Sequence, residues 1–217
     1  RQRQMCIRDR KNGVAKVTMI GKVTKEILFK GLKFPDWRAI KLLAKLRNRK
    51  DDTIMLAIVE ELAKDGLEVV DQTLYLKPLM PSCGVLSRRK PTASEEDDIR
   101  FGFVTAKAMG GMDIGQTVVV KHKAVMAVEA IEGTDACIRR GGALGREKSV
   151  VVKVAKPNQD PRFDVPAVGK QTILSMIESH CNVLAMEAGR TLFVEQDEVL
   201  DLANRHDICI CAVDKNF

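Results

Sequence analysis

The chain has 217 residues, 45% hydrophobic and 30% charged, with a formal net charge of +7, the composition of an ordinary globular protein of one large or two small domains. With aromatics at 4% there is little material for a stacking platform on single-stranded nucleic acid. Four Arg and one Asp in the first ten residues carry +3 of the charge, which leaves a mild +4 elsewhere, compatible with anionic substrates or an anionic membrane surface but not a nucleic-acid-tracking tail.

The first residues, RQRQMCIRDR, have no periodicity, and residues 1–13 read as a disordered or non-native arm. Val14 to Ile20 alternates and is β-branched, so it predicts a strand. Asp36 to Lys50 and Thr53 to Asp65 carry apolar faces of helical period, and Leu67 to Val70 predicts a short strand. This strand–helix–helix–strand order makes residues 14–81 an α/β layer. Residues 82–93 have no clear period and predict a linker. Ser94, followed by acidic residues, predicts the N-cap of a helix from Glu95 to Met109, with Gly110 and Gly111 as its stop.

Residues 94–217 predict a second, mixed α/β domain. Strands are expected at Thr117 to Lys121 and Ala124 to Val128 around a His122–Lys123 turn, then at Val150 to Val154, Val183 to Met186, within Gly189 to Val194, and at Ile208 to Val213. Helices are expected from Gly133–Asp135 to about Arg140, at Thr172 to Ser179 and at Asp197 to Arg205. The six Cys form no CxxC pair and no zinc spacing, and their scatter suits reduced thiols in a cytoplasm. His122, His180 and His206 stand apart, with no nucleophile signature nearby, and read as surface or helix-end residues.

Three stretches carry residues suited to chemistry. Lys153 to Gly169 (KVAKPNQDPRFDVPAVG) follows a strand, and Pro157, Pro161 and Pro166 exclude a helix interior. It gathers Lys153, Lys156, Gln159, Asp160, Arg162 and Asp164. Carboxylates hold Mg²⁺ and orient water, while Lys and Arg neutralise phosphate oxygens. A solvated loop with local ion pairs is the plain alternative. In Ala127 to Arg140 a strand end meets a helix start at Thr134, where free N–H groups suit a phosphate. Thr134 also suits a simple N-cap, while Glu129, Glu132 and Asp135 favour a metal. In Ala185 to Leu192, Glu187 and Arg190 flank Gly189 at the end of a strand, as substrate contacts or as an ion pair across a turn.

Taken together, MIGKV (Met19 to Val23), LAIVEELAKDGLEVVD (Leu56 to Asp71), DIGQTVVVKHKAVMAVEAIEGTDACIRRGG (Asp113 to Gly142), VVVKVAKPNQDPRFDVPAVG (Val150 to Gly169) and LAMEAGRTL (Leu184 to Leu192) resemble the UDP-2,3-diacylglucosamine pyrophosphatase family of the LpxI type. The resemblance implies a Rossmann-like N-terminal domain and a C-terminal α/β domain with substrate between them. It implies Mg²⁺-dependent hydrolysis of UDP-2,3-diacylglucosamine to UMP and 2,3-diacylglucosamine 1-phosphate (lipid X) in lipid A synthesis. It also implies attack by water on the sugar-side phosphorus, at the cytoplasmic face of the inner membrane. The family's Gly-containing strand–turn–helix ahead of MIGKV has no counterpart here, so a partial N-terminal domain is expected.

Asp164 and Asp160 are the expected catalytic carboxylates, Asp164 foremost because Arg162 and Pro166 would hold it. Asp164, Asp135 and Glu132 are candidate metal ligands. Lys153, Lys156, Gln159, Arg162, Thr134, Glu187 and Arg190 are candidate substrate contacts. A homo-oligomer is compatible with the sequence. Two other functions use the same features: a UDP-sugar-dependent transferase, separable by UMP release without acceptor, and a non-enzymatic subunit that binds anionic lipid, separable by the Mg²⁺ dependence of lipid X binding.

Overall fold

A computed structural model describes residues 12–19, 37–44 and 51–217. Residues 1–11, 20–36 and 45–50, which hold most of the expected 1–13 arm and most of MIGKV, lie outside the described residues. The fold is mixed α/β and divides into two compact units. Unit 1 comprises Arg1–Leu74 with Asp160–Asp164, and unit 2 comprises Tyr75–Gln159 with Val165–Phe217.

In unit 1, β1 (Lys16–Val17) runs parallel to β2 (Glu68–Val69). Helices α1 (Trp37–Ala44) and α2 (Asp51–Lys64) lie between them in sequence. Arg38 joins the two helices' ends, donating to Glu61 at 2.6 Å and to Asp65 at 3.0 Å. The Gln72 N–H donates to the Pro161 carbonyl at 3.2 Å, tying the Asp160–Asp164 segment into this unit.

Unit 2 is built on a six-stranded sheet. In chain order its strands are β3 (Gly84–Val85), β4 (Thr117–Lys121), β5 (Ala124–Val128), β6 (Ser149–Lys153), β8 (Cys181–Glu187) and β10 (Cys209–Val213), and across the sheet they run β3-β10-β8-β6-β4-β5. β6, β8 and β10 are mutually parallel, and the flanking pairs are antiparallel. The runs SVVVK and CICAV are wholly buried, and CNVLAME nearly so, as strands covered on both faces must be. Alternate residues point to opposite layers. Val119, Val151, Leu184, Met186 and Ile210 pack with α4 (Thr134–Gly145), α5 (Lys170–Glu178) and α6 (Gln196–Arg205). Val118, Val120, Val150, Val152, Val183 and Ala185 pack with α3 (Ala93–Gly111). A separate short pair, β7 (Ala167–Val168) with β9 (Leu192–Phe193), is parallel.

Several elements differ from the sequence expectation. The N-cap of α3 is Thr92, not Ser94. Thr92 Oγ1 accepts from the Glu95 amide and the Glu95 carboxylate accepts from the Thr92 amide, so the three-residue spacing of a capping box selects Thr92. Gly110 and Gly111 are the last residues inside α3 rather than a stop after it. Helix α4 runs past Arg140 to Gly145 because its glycines allow close approach. A Cβ on Gly141 would lie 2.5 Å from Val119, and one on Gly142 2.3 Å from the Ser179 carbonyl. Residues 82–93, which carry no readable period, contribute β3 to the sheet edge. Ser87 Oγ accepts from the Ile210 amide at 2.8 Å just beyond it. The two-residue strand β7 had no period long enough to read.

Candidate active site at the carboxyl ends of the parallel strands

The parallel strands β6 and β8 end on charged residues, Lys153 and Glu187, both buried at 6% and 7% exposure. In open α/β sheets this end is where ligands are bound. A charge buried here needs partners, and both residues have them.

Glu187 is held by Lys107 of α3, whose Nζ lies 3.0 Å from each carboxylate oxygen and donates also to the Ala155 carbonyl at 2.8 Å. Glu187 Oε2 accepts from the Ala155 amide at 2.8 Å. Lys107 and Glu187 therefore grip both polar groups of one peptide residue at the root of the 153–169 loop. Arg190 reaches Glu187 at 3.9 Å and the Lys156 carbonyl at 3.4 Å, around a turn where Gly189 adopts φ +65°. The next residue is pinned as well. Lys156 Nζ pairs with Asp113 at 2.7 Å, the Lys156 amide donates to Gln159 at 2.8 Å, and Gln159 contacts Gln116 at 3.3 Å.

Lys153 donates to Thr134 Oγ1 at 2.9 Å, and that hydroxyl donates to Glu129 Oε1 at 2.9 Å. Thr134 is the first residue of α4, whose N-cap is Gly133 without a side-chain cap, so Thr134 is not the cap itself. The sheet end, a helix N-terminus and a buried ammonium thus converge at this point.

Within the loop, Asp160–Asp164 belong to unit 1, and Val165 onward returns to unit 2. Arg162 forks onto Asp160, with contacts of 2.6, 2.9 and 3.1 Å, and its amide donates to Asp160 Oδ1 at 3.0 Å. The Arg162 guanidinium holds the Asp160 carboxyl below the usual carboxylate range and is itself raised by the pair. The Asp164 amide donates to the Asp160 carbonyl at 3.0 Å, closing one helical turn. Among the described residues the half-buried Asp164 carboxylate has no hydrogen-bond or ion-pair partner.

Of the remaining candidates, Glu132 is exposed and accepts from Arg140 at 2.5 Å. Its own backbone amide and Arg140 hold its carboxyl below the usual range. Asp135 stands in the first turn of α4. Among the described residues no three His, Cys, Asp or Glu side chains are grouped to hold a metal by themselves. Mg²⁺ commonly takes one or two carboxylates with substrate phosphates and water. The Asp164 carboxylate, without a partner among the described residues, fits that donor set.

Sequence reasoning missed Lys107, Asp113 and Gln116. Lys107 sits between buried Ala106 and Met109 on the face of α3 that covers the sheet, and this position beside an apolar stripe was the available signal. The cysteines Cys83, Cys137, Cys181, Cys209 and Cys211 are free thiols, and burial pushes Cys137 up to about 12, which keeps it protonated and inert.

Comparison with known proteins places the chain by its sequence. The family model for the LpxI N-terminal domain matches residues 5–79, and that for the LpxI C-terminal domain matches residues 82–211. The UDP-2,3-diacylglucosamine pyrophosphatase LpxI of Caulobacter vibrioides is 31% identical over 191 residues, which cover 83% of this chain and 68% of that relative. With both family models matched in order, and a relative of this identity covered over two thirds of its length, the chain belongs to the LpxI family.

Proposed function

We propose that the protein hydrolyses the pyrophosphate of UDP-2,3-diacylglucosamine, giving UMP and 2,3-diacylglucosamine 1-phosphate, as a step of lipid A synthesis. The observation that carries this reading is the 153–169 loop. Its root is fixed by Lys107, Glu187 and Asp113, and beyond that root it carries an Arg162-balanced Asp160 and a carboxylate, Asp164, without a partner among the described residues. Pyrophosphate hydrolysis needs charge neutralisation on oxygens and a positioned water, and little else from a protein.

In this reading Lys153 and the N-terminal amides of α4 bind phosphate oxygens, with Lys156 and Arg190 near the same sheet end. Asp164 orients the attacking water or holds Mg²⁺, with Asp160 beside it. Mg²⁺, when bound, supplies positive charge to the phosphate oxygens. Water forms a bond to the sugar-side phosphorus, the bond from that phosphorus to the bridging oxygen breaks, and UMP departs. Among the described residues no helix is long and apolar enough to cross a membrane. Peripheral attachment at the cytoplasmic face of the inner membrane, where the diacylated substrate resides, completes the proposal.

The test is UMP release from UDP-2,3-diacylglucosamine with Mg²⁺ and no acceptor, in ¹⁸O-water. The label is expected in the sugar phosphate, and Asp164→Asn should lower turnover roughly 10²-fold while substrate still binds. Release that requires an acceptor would make the protein a transferase. Full turnover by Asp164→Asn would remove that carboxylate from the mechanism.

A further inference from the structure

Glu129 follows β5 and is 8% exposed. Its backbone is fixed on both sides. The Glu129 amide donates to the Thr117 carbonyl at 2.8 Å, and Gly115 lies so close that a Cβ there would fall 2.1 Å from the Glu129 carbonyl oxygen. Glu129 is thus walled into the sheet end rather than left to sample solvent.

From this position a single polar chain runs across three elements: Lys153 of β6 donates to Thr134 of α4, which donates to Glu129. A hydroxyl has one hydrogen to give. Because the Thr134 hydrogen goes to the carboxylate, its lone pair is presented to the Lys153 ammonium. The polarity of the chain is therefore set at both ends, by an ammonium that only donates and a carboxylate that only accepts. Glu129 Oε2 is buried and has no hydrogen-bond partner among the described residues. A carboxylate in that condition is a poor device for stability, since well-packed apolar side chains do as well or better in such places. Its use lies in what it orients.

We infer that Glu129 is a positioning residue of the pyrophosphate site, which acts through the Thr134 hydroxyl to hold the Lys153 ammonium at the N-terminus of α4, where it meets a phosphate oxygen. This inference rests on the function proposed above. In this role Glu129 acts through Thr134 rather than on the substrate itself. In Glu129→Gln the neutral amide can offer its NH₂ instead of its oxygen to the Thr134 hydroxyl, which then competes with Lys153 for the hydroxyl's lone pairs, and the ammonium loses the fixed direction of this contact.

Two measurements on the full chain test this. In the first, Lys153 modification by reductive methylation is followed by peptide mass spectrometry in wild type, Glu129→Gln and Thr134→Val. Lys153 should react several-fold faster in both variants, with other lysines unchanged. In the second, UMP release is measured for the same proteins, for Glu129→Asp and for the double variant. Glu129→Gln should lower kcat about ten-fold or more with KM changed little. Glu129→Asp should recover part of the loss, and the double variant should lose no more than either single one, as members of one unit do.

If Glu129→Gln does not fold, Thr134→Val carries both measurements. Unchanged Lys153 reactivity in the variants, or fully additive losses in kcat, would overturn the role of Glu129. A wild-type protein that releases no UMP would overturn the proposed function instead, and the labelling would still decide whether Glu129 holds Lys153.

Discussion

At the scale of single residues, the 153–169 loop sorts its charges by their partners. Asp160 is spent on Arg162, Lys156 pairs with Asp113, Glu187 with Lys107, and Asp164 stands apart from such pairs among the described residues. The Asp160–Arg162 pair has a pH signature. The folded-state carboxyl of Asp160 lies below its unfolded value, so its ionised form contributes stability above about pH 4 and loses that contribution as the pH falls through the folded-state value. Asp160→Asn should therefore be less stable than wild type at pH 7, by about 1 kcal/mol for a partly exposed pair. The gap should narrow as the pH falls below about 4 and close below the folded-state value. Urea unfolding at a series of pH values reads this, and a gap that persists unchanged into acid would mean the pair contributes nothing to folding.

At the scale of elements, unit 2 is joined by side chains that reach from one element to the backbone of another. Asp98 of α3, 4% exposed, accepts from the His122 amide at 2.9 Å and the Lys123 amide at 2.6 Å. Those amides belong to the β4–β5 turn, where both residues adopt positive φ, +49° and +56°, a conformation usually left to Gly or Asn. The Asp98 carboxylate thus supports a turn whose residues do not favour it. Asp98→Ala should cost about 2–3 kcal/mol, because it leaves two amide donors without acceptors near the core. It should also speed amide exchange at His122 and Lys123. A loss below about 0.5 kcal/mol would show that the turn holds its own shape.

At the scale of the whole molecule, the α/β class and most of the strands of unit 2 were legible in the sequence. The runs TVVVK, SVVVK and CICAV signal buried strands by composition alone. β3 was not legible, because two residues carry no period, and its place at the sheet edge depends on a partner more than 120 residues later. The candidate site was half legible. Lys153 and Thr134 could be named from their positions at a strand end and a helix start, but their 2.9 Å contact through to Glu129 is a product of packing. Lys107 was hidden because a lysine within a helix is ordinarily solvated. Unit 2 has apolar layers on both faces of its sheet. Residues 75–217 expressed alone should fold, with the slowest-exchanging amides in β6, β8 and β10. Exchange as fast there as in β3 would mean the unit does not stand by itself.

The loop's double membership has a consequence for inheritance. Asp160–Asp164 group with Arg1–Leu74, although some 85 residues of unit 2 lie between them in the chain. Any exchange of segments between relatives, by recombination in nature or by gene shuffling, meets this discontinuity. A single crossover near residue 75 would join one parent's N-terminal part to the other parent's Pro161, whose carbonyl must accept the Gln72 amide. The boundary that matters for inheritance is therefore not one cut but three, and the five residues that carry Asp160, Arg162 and Asp164 travel best with the first third of the chain.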